Sequence, residues 1–232
     1  MKKRFTVSVL FTTLILLSLL IFSCGVQEQQ SERGKTDNPY SKEEIDYFVE
    51  IAFGIEFGTS QTIKKWERPI RYQVRGSPTK DDIETLKSVM KDLETITKGK
   101  ITFKKTRVNP NMTIYFVPVD DMQKYEPNYI SGNWGFFYIW WNSGSEIYRA
   151  RILIGTDKPN QGERNHLIRE EITQSLGLAM DSWTYEESIF YQEWSSVQDF
   201  AEIDRKVIEI LYREDITPGM TKQQVKRILH TD

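Results

Sequence analysis

Apolar and polar residues repeat with two periods along this chain, and the switches between them mark its elements. After an apolar block at 5–22 and a polar stretch at 25–40, Ser41-Lys42-Glu43-Glu44 has the form of a capping box. Ile45, Phe48, Val49 and Ala52 follow at helical spacing, predicting a helix that ends near Gly54. Ile70, Tyr72 and Val74 then interleave with Arg71, Gln73 and Arg75, the pattern of a half-buried strand closed by Gly76-Ser77-Pro78. From Thr79 the period is helical again, with Ile83, Leu86, Met90, Leu93 and Ile96 in one stripe stopped by Lys98-Gly99. Segments 101–105 and 112–117 read as two more strands. Segments 134–141 and 147–154 flank Asn142-Ser143-Gly144-Ser145, which predicts a hairpin. A helix through Arg169-Glu170-Glu171 follows, then an aperiodic polar and aromatic stretch at 182–196. A long helix is expected over 197–212, with Ile203, Val207, Ile210 and Leu211 on one face, ended by Pro218-Gly219. Thr221-Lys222-Gln223-Gln224 caps a short terminal helix containing Val225, Ile228 and Leu229. This order of strands and helices predicts an α+β or mixed α/β layered domain.

The first residues have a different logic. Lys2, Lys3 and Arg4 precede the apolar block, which ends at Ile21-Phe22-Ser23-Cys24 with the only cysteine in the sequence. That layout predicts a bacterial lipoprotein signal at 1–23, cleaved before a lipidated Cys24. A plain secretory signal or an N-terminal membrane helix is the other reading, although the block is near the lower length limit for a bilayer span. Acyl chains on Cys24 would anchor the protein to a membrane. Residues 24–40 then form a lipidated cysteine and a flexible tether, too polar to bury its own surface and spanning roughly 20 Å as coil. Gly25 rather than Asp after the cysteine points to the outer membrane if the source is a diderm bacterium. No cysteine remains for a disulfide, so 41–232 must be stable without one. The formal charge of −2 becomes −5 once Lys2, Lys3 and Arg4 are removed. With no basic run, nucleic-acid binding is not expected.

Candidate chemistry centres on Arg169-Glu170-Glu171-Ile172-Thr173-Gln174-Ser175-Leu176-Gly177-Leu178. Together with Ser188-Ile189-Phe190, Asp204, Leu211-Tyr212 and Pro218-Gly219-Met220, it resembles the bacterial family catalogued as domain of unknown function 2927. That family in turn looks like the metzincin zinc peptidases, whose helix carries H-E-x-x-H-x-x-G-x-x-H. On that frame Glu171 stands where the catalytic acid would be, and Glu170, Gln174 and Met180 stand at the three ligand positions. Phe190 stands where the methionine of the turn beneath the metal would be. The resemblance implies a zincin-like fold, a twisted sheet packed on the Glu171 helix, with a helical C-terminal part.

Catalytic zinc takes three good protein donors and keeps one position open for water. An amide oxygen and a thioether are poor zinc ligands, so no cofactor is expected at Glu170, Gln174 and Met180. A cluster of His166, Glu170 and Gln174 is the alternative metal set, since the first two are four residues apart. Otherwise His166 is expected at the helix start, facing solvent or orienting the helix end. Glu171 and Gln174 are candidates either for tying the helix to the loop around Ser188 or for binding a ligand together with Glu170 and Trp140. Alternation puts Trp134, Phe136, Tyr138 and Trp140 on one face of their strand. The apolar composition of both faces predicts a strand buried between helices; the peptidase resemblance implies instead an edge strand along which peptides lie. Trp183, Tyr185, Tyr191 and Trp194 are candidates for lining the same cleft or covering its floor. The expected function is a lipid-anchored envelope protein with a degenerate peptidase-like domain, binding a peptide, a wall component or a protein partner. The alternatives are a hydrolase with Glu171 as general base and an atypical metal site, and a purely structural lipoprotein.

Overall fold

The computed structural model describes residues 38–55, 58–59 and 62–229, so the signal, Cys24, the tether to residue 37 and His230 lie outside the described residues. In chain order the elements are α1 (Lys42–Phe53), β1 (Gly54–Ile55), β2 (Gly58–Thr59), β3 (Ile70–Gly76), α2 (Lys80–Ile96), β4 (Phe103–Lys105) and β5 (Met112–Val117). A 3₁₀ turn leads into α3 (Met122–Tyr125), followed by β6 (Gly135–Trp141), β7 (Ile147–Gly155), α4 (Gln161–Gln174), α5 (Glu202–Leu211) and α6 (Lys222–Ile228). The expected caps at Ser41 and Thr221 are formed as capping boxes, and a further capping box forms at Thr79. No helix among the described residues is long and apolar enough to cross a membrane.

The domain is mixed α/β. Five strands form one sheet in the order β4-β3-β5-β7-β6, and the small pair β1-β2 stands apart. β4, β3, β5 and β7 are mutually parallel, while β6 returns antiparallel to β7 through the predicted hairpin. Registers such as Tyr72↔Met112, Met112↔Ala150 and Ile139↔Ala150 put buried side chains side by side across four strands. Ile70, Ile114, Phe116, Ile152 and Ile154 join the helices in the main core on that face. The opposite face carries Arg71, Gln73, Thr113, Tyr115 and Arg149, with a small second cluster of Val117, Val119, Met122, Tyr129, Phe136 and Leu153 at one corner.

Strand β6 differs from the buried strand that its composition predicts. It is the edge of the sheet, because β7 takes the inner position by pairing in parallel with β5. Its two apolar faces serve two clusters: Phe137 and Ile139 pack on the main core, while Phe136 and Tyr138 pack on the corner cluster. The last long helix is also shorter than its periodicity predicts. It starts at Glu202 because the buried Asp204 carboxylate accepts the Ala201 N–H and so caps the start. The pair β1-β2 and α3 were not anticipated; each has too few residues to show a period.

Helix α4 is buried on nearly all sides, including Arg164, His166, Arg169, Glu171 and Gln174. Arg164 Nε lies 3.0 Å from Asp82 Oδ1 on α2, where Gln161 Nε2 donates at 2.7 Å. The Thr79 N–H donates to the other Asp82 oxygen at 2.8 Å, so one carboxylate joins the N-terminal ends of both helices. Burial would raise the Asp82 pKa, but these donors and the Arg164 charge outweigh it and hold it below its ordinary value. At the other end of α4, Gly177 has φ +117°, and a Cβ there would lie 1.9 Å from the Lys64 carbonyl oxygen. Trp66 Nε1 donates to the Ser175 carbonyl at 3.0 Å, closing that helix end. Removing one partner of a buried ion pair leaves an uncompensated charge, so Arg164→Ala is expected to destabilise the fold by about 3–5 kcal/mol. Chemical denaturation of the variant beside the parent measures that difference.

Candidate ligand-binding cleft

A cleft of about 810 Å³ lies between β6, α4 and the segment 191–195. Glu171, 6% exposed, projects from α4 into it. A Cβ on Gly135 would lie 2.4 Å from Glu171 Oε1 and 2.9 Å from Leu167 Cδ2. Gly135 thus lets the carboxylate lie directly against the backbone of β6, a contact that no other residue type would permit unchanged. The ladder fixes which backbone groups face the cleft. Gly155 N donates to Trp134 O at 2.8 Å, so by antiparallel alternation residues 136, 138 and 140 bond to β7. Gly135, Phe137 and Ile139 then turn their N–H and C=O groups to the open edge, where all three line the cleft.

His166 is buried in the second turn of α4 rather than exposed at its start. Its Nδ1 lies 2.6 Å from the Val197 carbonyl oxygen, which can only accept, so Nδ1 carries the proton. Its Nε2 lies 3.3 Å from Glu170 Oε2. Burial disfavours the imidazolium, but the hydrogen bond and charge of Glu170, aided by Val197, raise the His166 pKa above its ordinary value. Gln174 Nε2 donates to Asp181 Oδ1 at 2.5 Å, so its amide is tied to Asp181 and not to the loop around Ser188. Glu170, Glu171, Gln174 and His166 all line the cleft. Trp140 does not: it stands on the other sheet face, with the Arg149 guanidinium 3.9 Å from its ring centroid.

The zincin-type ligand positions do not fit a three-donor zinc site. Met180 packs its side chain on Gly54, where a Cβ would lie 2.3 Å from Met180 Cγ. Gln174 offers only an amide oxygen, leaving Glu170 as the one good donor of the three. The His166, Glu170 and Gln174 set has two good donors and the same amide. Among the described residues no group of three or more His, Cys, Asp or Glu side chains is gathered as metal ligands.

Beneath the cleft, Ser188 Oγ accepts from Tyr47 Oη at 2.8 Å and from Phe190 N at 3.0 Å, and donates to Asp204 Oδ1 at 2.5 Å. Asp204 Oδ2 accepts from Ile189 N and Ala201 N. This network fixes the Ser188-Ile189-Phe190 turn against α1 and α5. Of the loop aromatics, Tyr191 and Trp194 line the cleft, Trp194 meeting Trp134 edge-on at 4.8 Å. Tyr185 packs on Tyr47, and Trp183 is exposed. Sequence reasoning missed Lys64 and Asp181. Each reaches the cleft from a segment with no period, and no spacing links either to Glu171.

An edge strand beside a buried glutamate-bearing helix sets the cleft in a mixed α/β domain with a twisted sheet packed on the Glu171 helix. The chain belongs to the family of proteins of unknown function DUF2927, whose model matches residues 41–231. No curated protein matches it. Twenty-nine chains of solved structures do. Among them the structure of myroilysin is 11% identical, covers 65% of this chain and 96% of that one, and has a TM-score of 0.43.

Burial raises the Asp204 pKa from 3.8 to about 6 against the pull of its hydrogen bonds. The folded state therefore binds this proton more tightly than the unfolded chain does. The resulting stabilisation is full below the unfolded pKa of about 4 and is lost as pH rises through about 6. Unfolding free energy is expected to fall by on the order of 3 kcal/mol across that window. Asp204→Asn removes this slope, whatever it does to absolute stability. Denaturant titrations at a series of pH values measure both.

Proposed function

We propose that this protein is a lipid-anchored envelope protein that binds an extended peptide segment, from the wall or from a partner protein, along the open edge of β6. The observation that carries this reading is the cleft itself, in which Gly135, Phe137 and Ile139 turn backbone N–H and C=O groups away from β7. An incoming strand gains main-chain hydrogen bonds there, while the cleft aromatics select its side chains. Glu171, Glu170 and Asp181 lend the site negative charge and favour a ligand with a cationic or N–H-rich face. Hydrolysis is not part of this reading: a general base needs a polarised water, and the zincin-type positions offer too few good metal donors.

Binding of an extended-peptide library by the full-length protein in detergent tests it. Methylating the backbone nitrogens of a selected peptide at alternate residues is expected to weaken binding by about tenfold in one register and little in the other. Equal effects in both registers would refute edge pairing. If the protein cleaves such peptides and Glu171→Gln abolishes cleavage with the fold intact, the hydrolase reading replaces this one. A stoichiometric zinc ion that is lost on Glu170→Ala would have the same consequence. For the anchor, Cys24→Ser is expected to move the protein from the membrane fraction to the soluble fraction of expressing bacteria.

A further inference from the structure

The sheet face turned away from α2 and α4 carries an uncompensated row of cations. Lys104 on β4 is paired in register with Arg71 on β3, both side chains on that outer face. Like charges directly opposite one another across strands destabilise a sheet, yet neither has a carboxylate within ion-pair distance among the described residues. Asn111, beside Arg71, continues the row towards β7, where Arg149 and then Trp140 complete it. Arg149 is exposed, has its guanidinium 3.9 Å from the Trp140 ring centroid, and makes no hydrogen bond or ion pair among the described residues. Arg71 spends only its Nε, on the Asn109 carbonyl. Glu126 is buried and taken by Arg151 at 2.8 Å. Arg75, four residues beyond Arg71 on the same face of β3, is also exposed and has no carboxylate partner among the described residues. All this stands on a chain whose formal charge is negative.

We infer that this face binds an acidic polysaccharide, laid across the strands from Lys104 to Trp140. With strands about 4.8 Å apart, Lys104 and Arg149 are separated by roughly 15 Å, so the row meets several successive anionic sugars rather than one ion. Carboxylates or sulfates pair with the free N–H groups of Arg71 and Arg149, the strongest type of hydrogen bond available there. The indole at the end of the row carries the Arg149 guanidinium, 3.9 Å from its ring centroid, and so holds that donor on the face. A bilayer fits less well: Trp140, Tyr138 and Tyr115 are half-buried within the face and do not project from it. This site lies on the opposite side of the sheet from the Glu171 cleft and does not depend on what that cleft binds.

Retention of the full-length protein in detergent on immobilised polygalacturonate tests the inference, with neutral dextran as the blank. Retention on polygalacturonate alone is expected, reversed by salt. The triple variant Arg71→Glu, Lys104→Glu, Arg149→Glu should lose at least about tenfold in affinity, and its glutamine counterpart somewhat less. Lys87→Glu, Lys91→Glu, Arg227→Glu changes net charge equally on exposed helical positions and should leave binding intact. Equal loss in that control, absence of retention, or binding only to vesicles containing phosphatidylglycerol would overturn the proposal. Circular dichroism of each variant verifies the fold.

Discussion

Helix α4 runs through the interior with polar side chains on nearly every face, and each polar group so buried costs about 1–3 kcal/mol unless it finds a partner. Its neighbours are arranged around that demand. Arg164 takes Asp82, Arg169 reaches Asp92 at 3.0 Å and lies over the Phe200 ring, His166 takes Val197, and Gln174 takes Asp181. These partners come from α2, from the segment before α5 and from the loop after α4. The helix therefore positions the surrounding segments as much as they position it.

The cleft follows from the same constraint. Because His166 draws Val197 inward, segment 191–197 folds back over α4 and brings Tyr191 and Trp194 to face β6. Because Asp204 must satisfy the Ile189 and Ala201 N–H groups as well as Ser188, the floor turn is fixed from below. An ionised Asp204 at neutral pH is a standing cost of burial, accepted where three donors converge on one carboxylate. Glu171 reaches β6 only because Gly135 leaves space, so the strand and the helix specify one another through a missing side chain.

The elements with clear periods were legible from the sequence: β3, β5, the β6-β7 hairpin, the start of α2 near Thr79 and the caps at Ser41 and Thr221 lie where the pattern puts them. The start of α5 was not, because the Asp204 carboxylate that caps it at Ala201 is itself held by Ile189, 15 residues away, and periodicity carries no information about that. The edge position of β6 was hidden for a related reason. A strand that serves two separate clusters has the composition of a buried one, and only the pairing of β7 with β5 shows which strand is outermost. At the site, Glu170, Glu171, Gln174 and His166 do converge. Trp140 shares a face with Phe136 and Tyr138, as alternation predicts, but at its position along β6 that face is turned to Arg149 and away from the cleft.

An open strand edge is a hazard, since its free N–H and C=O groups pair readily with any exposed strand. Here the hazard is narrowed by geometry. The bulge at Trp140/Trp141 ends regular pairing at one end of β6, and Glu171 lies against the other end at Gly135. Between them the segment 191–195 faces the edge across the cleft and narrows the approach to it. The wall that faces the edge limits such pairing and, on the proposed reading, would favour a lone peptide strand; it depends on the same buried contact of His166 with Val197 that holds α4 in place.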